Sequence, residues 1–437
     1  MVDNRRAFLT GAVGVGAGAV VGGLATAPAY AAAVAGADPG SVNVLDHNAD
    51  PTGVRPSDDA FRAAAAELLA SFQATSYSNQ IPKKVLVIPP GNYLISQPDC
   101  LLPNVDGGER NARGDLNGVV DGISVTGYGK RVSTITYAPT ANDTTLWTNR
   151  RRYKNIRVSG LTFHSANPTS SFCYAYSDAN GLGVQDTWYT DVEWRGDWTR
   201  GIGLDGSSAS NLNSEMGWDH CQVSGTYSDA FLVTGMTPAN SQQDQFLNYW
   251  FRECKVEFQS GVFVRNNRGG SMNFVGGSYI LIDESRAGTF FKLERAVPSR
   301  ADSVMRLYAQ GIRFELRCDQ HKVIDSAWYK GHITFVSCDD TARAFQGFAA
   351  GTLSHAYDFT LNGSRGPMVR YVDCALMGRH QVTTSATTPT AGKVLYDGSR
   401  FANKVGAGIL SWTGATGRYE YRDCLAGAVY LADEKRP

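Results

Sequence analysis

Short β-rich runs recur along this chain at intervals of about 20–40 residues, a pitch that confines it to folds in which one unit stacks on the next. Clear examples are Gly122–Val125, Thr134–Tyr137, Ile156–Phe163, Gly201–Leu204, Ala230–Val233, Gly261–Val264, Thr289–Leu293 and His332–Val336. Gly, Asn, Asp or Ser stands between them. No run can bury its apolar side chains alone, so neighbouring coils must cover one another. With 47 glycines and only 19% charged residues, the composition suits turn-rich β architecture. No long helical period separates the runs, which disfavours a βα barrel. A β-sandwich would place its turns more evenly, about every 8–12 residues.

A second repeat lies inside the first. Trp218-Asp219-His220-Cys221, Phe251-Arg252-Glu253-Cys254, Tyr371-Val372-Asp373-Cys374 and Tyr421-Arg422-Asp423-Cys424 share one order: an aromatic, two mostly polar residues, then cysteine. Such a pattern marks one structural position visited on successive coils. The eight cysteines are scattered and lack a paired CxxC spacing, so no zinc site is expected. Buried cysteine behaves as a small hydrophobe. The expectation is an interior stack of free thiols, with one or two disulfides left open.

At the N-terminus, Asn4-Arg5-Arg6-Ala7-Phe8-Leu9-Thr10 precedes a Gly/Ala/Val run and Ala29-Tyr30-Ala31. Residues 1–31 resemble a bacterial twin-arginine export signal, which implies a secreted, extracellular protein that leaves the cytoplasm folded. The apolar run is broken by glycines and suits a signal better than a membrane span. Residues 32–41 read as a flexible leader and 42–437 as a single domain, with the polar stretch 384–392 as a surface loop. The chain carries 41 basic and 41 acidic side chains, so it lacks the surplus positive charge of a nucleic-acid or anionic-membrane binder.

Phe61, Ala65, Leu68, Leu69 and Phe72 recur at helical spacing. Ser57 is placed to cap that helix, with Asp58 and Asp59 in its first turn. This helix start, Val42-Asn43-Val44-Leu45-Asp46, Ala49-Asp50-Pro51-Thr52-Gly53 and Val87-Ile88-Pro89-Pro90-Gly91-Asn92-Tyr93-Leu94-Ile95 together resemble the N-terminal region of pectate-lyase-superfamily (pectin-lyase-like) proteins. The resemblance implies an all-β, right-handed parallel β-helix with an N-terminal capping helix. It also implies action on a polysaccharide.

In such a helix the outward side chains form columns, one member per coil, about 5 Å apart. Alignment of the apolar runs gives a column of Asp205, Thr234, Arg265 and Lys292. Asp229 stands just before its strand and Glu294 just after its own. A slip of one residue would turn any member to the opposite face. For glycoside hydrolysis or transfer, two carboxylates must flank the scissile bond. Asp205 and Asp229 are the candidate pair, with Glu294 in reserve. For a lyase acting on a uronate, Arg265, Lys292 or His220 would be the base, and Asp205 and Asp229 would hold calcium. The segment Asp186–Trp198 is dense in tryptophan and carboxylate. Trp188, Trp198 and Asp197 are its candidate substrate contacts, since aromatic faces suit sugar rings. His220 is a further candidate contact, although its place in the aromatic–cysteine repeat also gives it a structural reading.

The face is richer in carboxylates than in a defined Arg/Lys base set, which favours hydrolase or transferase chemistry with no cofactor. The alternatives are a polysaccharide lyase, for which calcium enters, and a non-catalytic glycan-binding surface protein. The expected partner is a polysaccharide or oligosaccharide, and the assembly to consider is a homotrimer.

Overall fold

The computed structural model describes residues 40–436 except 72, 75–78, 82–83, 103–118, 150–151, 178–182, 207–212, 237–246, 268, 295–304, 343–355, 362–364, 385–391, 402–409, 414–417, 427–428 and 431–433. The export signal and nearly all of the leader lie outside the described residues. Strand structure begins at Ser41, one residue ahead of the expected boundary.

The chain winds as a right-handed parallel β-helix. One turn runs through Arg152–Ser159, Thr162–Ser165 and Ser171–Ser177, and the next through Gly183–Thr190, Glu193–Gly196 and Trp198–Gly206. Arg152 lies opposite Gly183, Thr162 opposite Glu193 and Ser171 opposite Arg200. First strands of successive turns make up most of a 17-stranded sheet, called face one. Second and third strands share a 21-stranded sheet. The long strands Gln222–Thr234 and Lys255–Asn266 run through its bend and divide it into faces two and three. Pairing is parallel apart from short antiparallel pairs near the two ends.

Faces one and two meet at a single left-handed residue. Gly160, Asp191, His220, Glu253, Gly276, Gly311, Ser337, Asp373, Gly398 and Asp423 take this place, with φ from 48° to 67°. At the corners from Gly160 to Gly398 the N–H donates to a carbonyl one rung on, as in His220 to Arg252 at 3.0 Å and Ser337 to Val372 at 2.8 Å. The ladder therefore crosses the corner without orphaned donors. The run Ile156–Phe163 crosses it at Gly160 and so is two strands.

The residue after the corner is buried everywhere except at Gly277. Cys221, Cys254, Cys338, Cys374 and Cys424 hold this position, and all eight cysteines are free and buried. Thiols donate to carbonyls of the preceding rung: Cys221 to Tyr189 at 3.3 Å and Cys254 to Trp218 at 3.4 Å. Three residues before each cysteine, rings pile up. Centroids are 4.2 Å apart for Trp218 and Phe251, 5.1 Å for Phe335 and Tyr371, and 5.1 Å for Tyr396 and Tyr421. The aromatic–cysteine repeat is thus a pair of interior stacks running along the axis.

Helix Asp58–Ala70 packs on the first face-one strands, Ser41–Asn43 and Val85–Val87, with Phe61 edge-on to Tyr93 at 5.8 Å. Ser57 makes no side-chain cap bond; its hydroxyl accepts instead from the Asp50 N–H at 2.9 Å. Asp58 also bonds beyond its helix, accepting from the N–H groups of Ser96 at 2.8 Å and Gln97 at 3.0 Å.

Candidate functional site

Face three carries the charged groups. Its strands bury two neighbouring residues at mid-length, such as Phe263 and Val264 or Val323 and Ile324, with less buried residues on either side. Pairing sets Gly203, Val233, Arg265, Lys292, Asp325, Asp358 and Gln381 opposite one another on successive rungs. Arg265 and Lys292 therefore share a column, as expected. Thr234 does not belong to it: it pairs with Asn266 and is fully buried. The cause is a bulge. The step from Tyr227 to Leu232 on one strand faces the shorter step from Gly261 to Val264 on the next. Extra residues of this kind shift the register, and apolar patterning does not reveal them.

Asp229 sits in that bulge. Its carboxylate lies 2.8 Å from Arg200 Nη2 on one side and 2.8 Å from Arg265 Nη2 on the other. Its oxygens are thereby engaged by two guanidinium groups, which makes it a poor calcium ligand. Asp205 lies two residues along from Gly203, opposite Tyr176, and is only 5% exposed. Its Oδ1 accepts from the Gly206 N–H at 2.9 Å, and its main-chain carbonyl accepts from Asn213 at 2.7 Å. Face three thus gathers Asp229 and Arg265, while Asp205 lies beneath the surface.

Further along, the row reads plus, plus, minus, minus: Arg265, Lys292, Asp325, Asp358. Arg265 shares the Asp229 carboxylate with Arg200, and Lys292 pairs with Glu294 at 3.3 Å. The two aspartates share Lys322, which lies 3.1 Å from Asp358 and 3.8 Å from Asp325. Burial raises the Asp325 pKa above its ordinary value; Lys322 opposes this and Asp358 adds to it. A carboxyl whose pKa is raised by burial, standing beside a second carboxylate, is the kind of pair that proton transfer to a leaving oxygen uses. Asp325, Asp358, Lys322 and Arg200 all escaped the sequence reading. A signal for two of them exists in Lys322-Val323-Ile324-Asp325, an apolar pair bracketed by charges.

The remaining candidates lie elsewhere. Trp198 is in the core, 1% exposed, with its indole N–H donated to the Arg195 carbonyl at 3.0 Å. Asp197, at the bend between faces two and three, accepts from the Thr226 N–H at 3.1 Å. His220 occupies the left-handed corner and pairs with Asp219 at 3.0 Å. Trp188 is on face one, stacked on Trp250 at 5.8 Å with Arg252 over its ring at 5.1 Å. Gly217 separates those two rings in the ladder; a Cβ there would come within 2.1 Å of the Trp188 ring. Among the described residues, no cluster of three or more metal-ligating side chains occurs, and no helix is long and apolar enough to cross a membrane.

No family model and no curated protein matches the chain. Among solved structures, a tailspike of an Acinetobacter phage aligns with a TM-score of 0.51 at 10% identity, over 91% of this chain and 64% of the tailspike. The catalytic unit of an α-1,3-glucanase from Streptomyces thermodiastaticus gives 0.45 at 13% identity, over 93% of this chain and 73% of its own. A surface adhesin of Streptococcus pneumoniae gives 0.42 at 11% identity, over 91% and 94%. At such identities what is shared is the fold, the parallel β-helix.

Proposed function

We propose that the protein is an exported carbohydrate-active enzyme that cleaves or transfers glycosidic bonds on face three. The observation that carries this is Asp325 opposite Asp358 on adjacent rungs, sharing Lys322. Adjacent rungs are about 4.8 Å apart. That spacing suits the close carboxylate pair of a retaining mechanism, about 5–5.5 Å, better than the wider pair that holds a water between them. Asp325, with its raised pKa, protonates the leaving oxygen. Asp358 attacks the sugar and is released by water or by an acceptor hydroxyl. Asp229, Arg200 and Arg265 position the chain, and Glu294 and Lys292 bind its hydroxyls. The twin-arginine-like N-terminus supports the exported part of this reading.

The test is incubation with a panel of neutral and acidic glycans. Reducing ends, unsaturated-uronate absorbance and the anomeric form of the first product are followed together. The expected result is reducing-end release without absorbance, with anomeric retention. Absorbance would assign elimination instead, and binding with neither signal would assign an adhesin.

A further inference from the structure

Face one carries an outward column that alternates large and small side chains. Pairing sets Trp188, Gly217, Trp250, Asn273, Tyr308 and Thr334 opposite one another on successive rungs. The aromatic members recur on every second rung, about 10 Å apart along the axis. All three are half-buried, and the neighbours of each along its strand face the core. Gly217 decides how the first ring lies. A Cβ there would stand 2.1, 2.3 and 2.5 Å from Cε3, Cζ3 and Cδ2 of Trp188, three adjoining atoms of its six-membered ring. A point that close to three neighbouring ring atoms lies over the face of the ring, not beyond its edge. The indole therefore lies flat on the glycine backbone, with its plane along the sheet. The Trp250 plane is only 13° from it.

Hydrogen-bonding groups stand beside these rings. The Trp188 indole N–H is donated to Asp186 at 3.0 Å, and the Tyr308 hydroxyl to Gln310 at 2.9 Å. Among the described residues, neither the Trp250 indole N–H nor the exposed Arg252 guanidinium donates a hydrogen bond. Charge along the column is balanced. Within two residues of its members, Asp186, Glu215 and Asp219 stand against Arg252 and Arg306, and Arg157 completes the balance on the preceding rung. A nucleic acid or an acidic polymer therefore finds no surplus of positive charge here. Flat aromatic faces edged by donors, with no net charge, suit a neutral sugar chain, whose rings are apolar on their faces and hydroxylated around their rims. Two sugar units of an extended chain span about the distance of two rungs.

We propose that face one holds a second, non-catalytic glycan-binding strip, which takes a neutral, extended, β-linked polysaccharide chain along the helix axis. The paired indoles of Trp188 and Trp250 lie beneath one stretch of the chain, and Tyr308, two rungs beyond Trp250, lies beneath the next. Arg252 and the Trp250 N–H donate to its hydroxyls. The strip goes beyond the cleavage assigned to face three: it is built from other residues on another face, does no chemistry, and anchors the protein to the polymer.

Co-sedimentation of the protein with microcrystalline cellulose and with chitin tests the strip. At least one of the two polymers is expected to retain it. Trp250→Ala should weaken that retention by about tenfold or more, and Trp250→Tyr should restore part of it, with circular dichroism unchanged in both. Arg252→Ala, at an exposed position, should weaken it to a smaller extent. Folded D325N protein, altered on face three, should be retained like the unmodified protein. Retention by neither polymer, undiminished retention of W250A, or loss of retention in folded D325N would overturn the proposal. The two readings fail separately. Absence of sugar release from every glycan sinks the face-three mechanism, whereas undiminished retention of W250A sinks the strip alone.

Discussion

The inner and outer columns of this β-helix follow one register but obey opposite rules. Inside, like stacks on like: Trp218 on Phe251, Phe251 on Phe274 at 4.9 Å, Tyr371 on Tyr396 at 5.2 Å. Parallel pairing brings equivalent positions together, and for apolar rings and thiols that is favourable at every rung. Outside, the same rule sets Lys292 on Arg265 and Asp358 on Asp325, which is costly for like charges. Among the cations, Arg265 shares Asp229 with Arg200, and Lys292 has Glu294. The two aspartates have one lysine between them, and burial raises the Asp325 pKa, with Lys322 opposing and Asp358 adding to it. The comparison teaches that repetition serves stability within, while on the outside it sets like charges side by side that neighbours of opposite sign must relieve.

That contrast can be broken by substitution. The largest change in stability should come from the interior. Trp218→Ala removes a fully buried ring clamped between Tyr189 at 5.9 Å and Phe251 at 4.2 Å, and should cost about 4 kcal/mol in denaturant unfolding. A loss below about 1 kcal/mol would mean that the stack is not what holds the rungs. Asp229→Ala comes next. It strands two partly buried guanidinium groups, whose side chains are 20% and 31% exposed, and should cost about 2 kcal/mol.

His380 sharpens the comparison through pH. It lies in an inner column, stacked on Tyr357 at 4.2 Å, and burial pushes its pKa down from 6.5 to about 3. The unfolded chain therefore takes up the proton first. Stability held by the neutral ring is complete above pH 6.5 and is lost as pH falls from there toward 3, by up to about 1.4 kcal/mol per unit. His380→Phe should flatten the stability profile in that window; an unchanged slope would remove His380 from the account. The smallest effect belongs to Lys292→Ala. With Lys292 and Glu294 40% and 41% exposed, its cost should stay under about 1 kcal/mol.

The interior was legible because it repeats. Four copies of aromatic-x-x-Cys announced the stack, and only the left-handed φ of the residue before each cysteine had to come from the structure. The runs around Ile202, Leu232, Val264 and Phe291 were also legible, and with them the sharing of one column by Arg265 and Lys292. The outer row was only half visible. Thr234 was assigned to the surface because the bulge ahead of it leaves no trace in apolar spacing. Asp325 and Asp358 were missed because their strands, His321–Ser326 and Tyr357–Thr360, are short and mostly polar. Trp198 looked like a sugar contact because tryptophan density does not say which way a ring points.

The most direct test is the rate of reducing-end release by D325N and D358N, compared with E294Q, on the glycan that the unmodified protein degrades fastest. Both aspartate variants should fold normally and fall by about 10²–10⁴-fold, while E294Q keeps most of its rate. Folded D325N and D358N proteins that still work at the unmodified rate would contradict the assignment of chemistry to these two rungs.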